Sequence, residues 1–353
     1  MNFHNFALKI INWQQQNGRH DLPWQTDINP YKIWISEVML QQTQVKTVIP
    51  FYLKFIERFP DLPNLAQAEL DEVLYYWAGL GYYARARNLH QCAKIIEKNY
   101  QGKFPNSLEK LIDLPGIGRS TAGAILSLAY HQSTPILDGN VKRILCRVHR
   151  INSWHGTNET LKKLWDLTAT HTPSQATNIY NQGMMDLGAS VCTRSSPNCI
   201  QCPVSNWCQA AQNNEQNLYP LSKPKKDIPL KQTLIFILLN EKNDILLEKR
   251  PPIGIWGGLW SLPLGEVSVD VKKYIKKTFN LNTLTLKNLP SFDHQFTHFR
   301  LRIHPVLLNI RRDNHLKVME DLSYKWYKKD QIKTLGLPKP INTLLQTVSQ
   351  FFA

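Results

Sequence analysis

Residues 108–130 read LEKLIDLPGIGRSTAGAILSLAY: a helical run, a tight glycine turn and a second helical run. Leu114 and Pro115 close the first helix, Gly116 and Gly118 supply a turn free of Cβ obstruction, and Arg119 opens the second helix. Such a turn aims unpaired backbone N–H groups at solvent, where a phosphate can approach without meeting a side chain. A lone Gly-x-Gly also serves ordinary helical hairpins, so the flanking sequence has to decide.

Outward from this stretch the pattern stays helical. Apolar residues recur at three and four from Leu89 to Ile96 and from Leu161 to Leu167, and helix-stop signals stand at Gly102, Pro105, Pro115 and Pro173. Residues 212–232, QNNEQNLYPLSKPKKDIPLKQ, are polar and carry Pro220, Pro224 and Pro229 without an apolar period, which reads as an extended tether. Beyond it TLIFILLN, DILLEKR and FRLRIHPVLLNI are short β-rich runs, and VDVKKYIKKTF is a helix between strands. The expected architecture is multidomain. An all-α domain covers 1–217, with its hairpin at about 108–130; a linker covers 218–231; an α+β domain covers 232–353.

A chain of 353 residues is too long for one ordinary core, which agrees with two domains. Its net charge of +15 divides unevenly, +4 through residue 222 and +11 after it, and an excess of that size steers a protein toward a polyanion. No apolar run is long enough to span a membrane, and the opening MNFHNFALKIINWQQQ reads as an amphipathic helix without a signal-peptide cleavage pattern. A soluble cytoplasmic monomer with no membrane partner is expected, associated with the nucleoid if the source is bacterial.

Cys192, Cys199, Cys202 and Cys208 fall within seventeen residues, with six, two and five residues between them. Pro197 and Pro203 hold the intervening loops open, and four thiolates this close form a soft-ligand clamp suited to an iron–sulfur cluster or a structural zinc. Disulfides fit poorly in a long chain whose other cysteines, Cys92 and Cys146, stand singly in apolar helical patterns. Zinc ribbons pair two short knuckles across a longer insert, and only Cys199 and Cys202 have knuckle spacing. The spacing favours iron and leaves zinc open.

Leu114-Pro115-Gly116-Ile117-Gly118, then Asp138-Gly139-Asn140-Val141, then the Cys192 to Cys208 loop resemble the helix-hairpin-helix DNA glycosylase superfamily with its [4Fe–4S] cluster. Within it, Ser36-Glu37-Val38-Met39-Leu40-Gln41-Gln42-Thr43-Gln44 and Gly79-Leu80-Gly81-Tyr82-Tyr83-Ala84-Arg85-Ala86-Arg87 closely resemble the adenine DNA glycosylase (MutY) branch. The resemblance covers residues 3–215 and continues more weakly to the end, and it implies iron over zinc. It further implies base excision repair of duplex DNA containing adenine paired with 8-oxoguanine or guanine. Gln42 and Tyr82 would enter the base stack as the adenine is extruded. Leu114, Gly116 and Gly118 would meet the DNA backbone at the hairpin turn, and Lys142 reads as a further phosphate contact. Arg85, Arg87, Arg143 and Arg147 read equally as phosphate contacts or internal ion pairs.

Breaking an N-glycosidic bond calls for a proton for the leaving base and negative charge beneath an oxocarbenium-like sugar, hence two carboxylates in different environments. Glu37, in the apolar run IWISEVML, would have its pKa raised by desolvation and serve as the acid. Asp138, at the N-cap before VKRILCRV, would be favoured as the anion by N–H donors and the helix dipole, and would stabilise or transiently bond to the sugar carbon. Asn140 would orient that carboxylate. Where bifunctional relatives carry a Schiff-base lysine after the hairpin glycines, Ser120 stands here, so base release without efficient strand cleavage is expected.

In the C-terminal part, Lys249-Arg250 followed by Gly257-Gly258-Leu259-Trp260-Ser261-Leu262-Pro263 resembles the start of a Nudix hydrolase box. The helix that would hold Mg²⁺ with acidic residues reads Val271-Lys272-Lys273-Tyr274-Ile275-Lys276-Lys277, and lysines cannot bind magnesium. A Nudix-like domain that recognises rather than cuts is expected. Phe296-Thr297-His298 resembles the loop, usually Phe-Ser-His, with which this family recognises 8-oxoguanine.

Overall fold

The computed structural model describes residues 3–224, 227–312 and 323–348. The chain packs into two compact units, one of residues 1–67 and 88–225 and one of residues 68–87 and 226–353.

The first unit is helical. Helix Pro30–Leu40 starts at Asn29, whose side chain accepts from the Lys32 N–H at 2.9 Å, with Pro30 fitting the first turn. It buries Ile33, Trp34, Ile35, Val38 and Met39 and packs on helix Arg119–Tyr130. That contact leaves Glu37 on the flank facing the cleft described below. Helices Leu108–Ile112 and Arg119–Tyr130 are joined by a turn in which Gly116 takes the left-handed φ of +79°. Helix Thr177–Ser190 packs against Phe3–Asn17, Arg119–Tyr130 and Gly139–Val148, closing a core around Phe6, Ile10, Leu145, Tyr180 and Leu187.

Residues 212–232 are not a uniform tether. Arg150 Nη2 donates to Glu215 at 3.0 Å, Arg147 Nε donates to the carbonyls of Gln216 and Tyr219 at 2.9 and 3.0 Å, and the Tyr219 hydroxyl donates to Asn152 at 2.6 Å. Side chains reaching backbone carbonyls leave no apolar period, so the anchoring was invisible to a pattern reading.

The second unit is a sheet with helices. Its strands among the described residues are β1 (Leu230–Leu239), β2 (Ile245–Lys249), β3 (Trp260–Ser261), β4 (Leu264–Gly265), β5 (Leu281–Asn288), β6 (Phe292–Gln295), β7 (Arg300–Arg312) and β8 (Tyr324–Tyr327). The order is β3-β2-β1-β7-β5, with β4 beside β1, β6 beside β7 and β8 beside β2. β1 and β7 run parallel from Leu230 opposite Arg300 to Leu239 opposite Asn309, and the other pairs are antiparallel. Helix Val271–Phe279, capped by Asp270, turns Ile275 and Phe279 onto Phe236, Leu238 and Leu308, and leaves Lys272, Lys273, Lys276 and Lys277 exposed. Helix Leu70–Trp77 belongs to this unit although it precedes it by about half the chain.

Candidate active site

A cleft of about 1310 Å³ in the first unit is lined by Glu37, Gln42, Ser120, Asp138 and Asn140. Its size exceeds the usual small-ligand pocket and leaves room for a nucleoside turned out of a duplex. The elements that bring these residues together are helix Pro30–Leu40, the start of helix Arg119–Tyr130 and the start of helix Gly139–Val148.

Glu37 is half-buried on the cleft wall, and desolvation followed by repulsion from Asp138 pushes its carboxyl up to about 8. Asp138 has the expected cap geometry, accepting from the Val141 N–H at 2.8 Å and from Asn140 Nδ2 at 2.9 Å. Burial nonetheless outweighs those donors and raises its pKa, so the expectation of a plainly favoured anion holds only for the donors, not for the balance. The backbone and side-chain donors of the cap converge on Asp138, which is the member of the pair they favour as the anion.

Asn140 is fixed in turn. Arg143 Nη2 donates to Asn140 Oδ1 at 2.9 Å and to the Gly188 carbonyl at 2.5 Å, while its Nε donates to the Cys192 carbonyl at 2.8 Å. The close approach of Asn140 to helix Thr177–Ser190 needs glycine at 188, where a Cβ would stand 2.5 Å from Asn140 Cβ. Ser120 Oγ accepts from the Leu137 N–H at 3.0 Å, which ties the hairpin to the residue before Asp138.

Another wall of the cleft was missed in the sequence. Arg19 donates to buried Asp186 from Nε and Nη2 at 2.8 and 2.6 Å, and Gln182 Nε2 donates to the same oxygen at 3.0 Å. The pair is separated by 167 residues, so no local pattern could have signalled it.

The four cysteines line one small cavity with Arg147. All are free, and burial raises Cys199, Cys202 and Cys208, with Cys202 pushed up to about 12. Among the described residues no three His, Cys, Asp or Glu side chains close on a point that would hold a single ion. Arg147 is buried and donates to Cys192 Sγ at 3.1 Å and to the carbonyls of Thr193 and Arg194 at 2.7 and 3.1 Å. Of the two readings open for Arg143 and Arg147, the structure gives internal structural roles. Cys92 and Cys146 are core residues.

At the hairpin, Leu114 is buried, so only its backbone is on offer there, while Gly116 and Gly118 are exposed. Lys142 is half-buried on helix Gly139–Val148 and is not among the residues lining the cleft. Gln42 is exposed at the cleft, with φ of +57°. In the second unit Tyr82 is 47% exposed with φ of +49°, and its hydroxyl lies 3.2 Å from Thr297 Oγ1. Thr297 and His298 are exposed, and Phe296 stacks on Phe299 with centroids 4.5 Å apart.

Residues 35–170 match the HhH-GPD superfamily of base excision DNA repair proteins, and residues 234–347 match the NUDIX domain. The adenine DNA glycosylase of Buchnera aphidicola subsp. Acyrthosiphon pisum is 42% identical over 97% of each chain. That of Homo sapiens is 33% identical over 84% of this chain and 65% of its own. A thermostable thymine-DNA glycosylase superposes with a TM-score of 0.54 and 27% identity over 60% of this chain and 97% of its own. The chain belongs to the adenine DNA glycosylase (MutY) family. It is an enzyme of base excision repair, with a helix-hairpin-helix glycosylase domain followed by a Nudix-like α+β domain.

Proposed function

We propose that this glycosylase removes adenine paired with 8-oxoguanine or guanine in double-stranded DNA and leaves an abasic site without efficient strand cleavage. The observation that carries this reading is Glu37 and Asp138 in one cleft, with Glu37 pushed up to about 8 by burial and by its neighbour. Glu37 therefore still holds its proton at neutral pH and gives it to a ring nitrogen of the leaving adenine. The bonding pair of the N-glycosidic bond departs with the base, and the Asp138 carboxylate stands beneath the positive charge left on the sugar. Water adds to that carbon and loses its proton to a carboxylate. Asn140 and Arg143 keep Asp138 aimed.

Ser120 has no amine to attack the sugar, which supports monofunctional hydrolysis. Gln42 and Tyr82, both exposed and both in the strained left-handed region, suit residues that enter a base stack. Backbone groups of Leu114, Gly116 and Gly118, with Lys142, are assigned to the phosphates. Phe296, Thr297 and His298 are assigned to the 8-oxoguanine. Chemistry resides in 1–217, and opposite-base reading in 232–353 beyond the linker 218–231. The enzyme acts as a monomer in the cytoplasm.

Cys192, Cys199, Cys202 and Cys208 would hold a [4Fe–4S] cluster. Four free thiols lining one cavity, with Arg147 donating to Cys192 Sγ, suit a group held by thiolates alone. A bound cluster would tie Cys192, Cys199, Cys202 and Cys208 together and so fix the 192–208 loop. The test is a labelled A:8-oxoguanine duplex incubated with the protein and then treated with hot alkali. Adenine release from the wild type and none from Glu37→Gln is expected; release by Glu37→Gln at the wild-type single-turnover rate would refute the acid role.

A further inference from the structure

Residues 68–87 pack with the sheet unit, and the groups that hold them there come from the stretch resembling a hydrolase box. Lys249 pairs with the Asp71 carboxylate, and buried Trp260 donates its indole N–H to the other Asp71 oxygen at 3.1 Å. Arg87 donates to the Gly257 carbonyl. Gly336 lies so near helix Leu70–Trp77 that a Cβ on it would stand 3.0 Å from the Leu74 carbonyl carbon.

The turn bracketed by Asp71 and Arg87 is also braced within itself. Trp77 donates to the Gly81 carbonyl at 3.2 Å, and the Arg85 guanidinium lies 5.3 and 5.5 Å from the ring centroids of Trp77 and Tyr82. At its tip the Tyr82 hydroxyl meets Thr297. Behind Thr297, the ring of buried Trp256 lies 6.1 Å from Phe296.

We infer that residues 68–87 and the Nudix-like domain form one recognition body, in which Asp71 is the positioning residue that holds Tyr82 against Thr297. The inference rests on the reading of Tyr82 as a wedge and Thr297 as a contact to the opposite base. Asp71 is half exposed, so its pairing with Lys249 alone contributes little. Its second bond matters more, because removing the carboxylate strands the indole N–H of a buried tryptophan. A tyrosine in the left-handed region stays there only while its surroundings determine it.

The test uses the full-length protein carrying Asp71→Ala. Amide exchange should accelerate in both 79–83 and 296–299 and stay unchanged in 108–130. The ratio of single-turnover rates on A:8-oxoguanine and A:G should fall about fivefold or more. Asp71→Glu, which keeps a carboxylate for Lys249 and Trp260, should recover most of both. Faster exchange confined to 79–83, or an equal rate loss on both duplexes, would overturn the inference. Thr297→Ala separates the underlying reading: if it leaves the substrate ratio unchanged, the opposite-base assignment fails, while exchange in Asp71→Ala still decides whether the two segments are held together.

Discussion

A carboxyl group that keeps its proton at neutral pH is costly to fold around. The unfolded chain ionises Glu37 near its ordinary value of 4.5, whereas the native cleft holds it up to about 8. Native protein therefore binds a proton that the unfolded chain has released, and stability falls as pH rises through that window. Glu37→Gln should raise the thermal midpoint, more at about pH 8 than at about pH 5, measured by calorimetry. The same substitution should lower single-turnover adenine release by ~10²–10⁴-fold. In the wild type the rate should drop as pH passes about 8, where the acid is lost. At Ser120, which lines the same cleft as Asp138, lysine should introduce strand cleavage without alkali, read on a denaturing gel.

At the scale of elements, two arginines stitch the 139–148 helix to the 177–190 helix, to the cysteine loop and to residues 216–219. Arg143→Ala would leave Asn140 Oδ1 and the carbonyls of Gly188 and Cys192 without this donor, a loss of about 1–3 kcal/mol for each buried group left unpaired. Arg143→Lys should recover little, since one ammonium cannot reproduce the planar fork. Both effects are read as thermal midpoint, together with iron per chain by elemental analysis; zinc in place of iron would refute the cluster assignment. Much of this level was legible beforehand. The 108–130 hairpin, the Asp138 cap and the lysine-bearing 271–279 helix follow from local glycine, capping and periodicity signals. The arginine roles did not, because most of their partners are backbone carbonyls 45 and more residues away, and carbonyls carry no sequence identity. The Arg19–Asp186 wall escaped for the same reason of distance along the chain. Burial raising Asp138 against its own cap donors is a balance that only the packed structure sets.

On the scale of the molecule, charge and compactness divide the chain differently. The excess of +11 after residue 222 belongs with the sheet, yet residues 68–87 join that unit from within the helical stretch. Truncation near Leu221 should leave adenine release measurable, since Glu37, Asp138 and the four cysteines remain. It should also lower affinity, most at low salt, and abolish the preference for 8-oxoguanine, measured on both duplexes at one salt concentration. The 68–87 segment would lose the packing around Leu74 and Asp71, so the truncated protein should also melt earlier than its retained helical core alone would predict.

The residues resembling a hydrolase box are no longer idle. Lys249 engages Asp71, Arg250 engages Glu248 at 2.8 Å, and the Gly257 carbonyl receives Arg87. Acidic residues placed at 272, 273 and 276 would supply one half of a magnesium site on an exposed helix. The other half would remain committed to holding a segment of the helical stretch, and each step toward releasing it would loosen Tyr82 before a complete site was assembled.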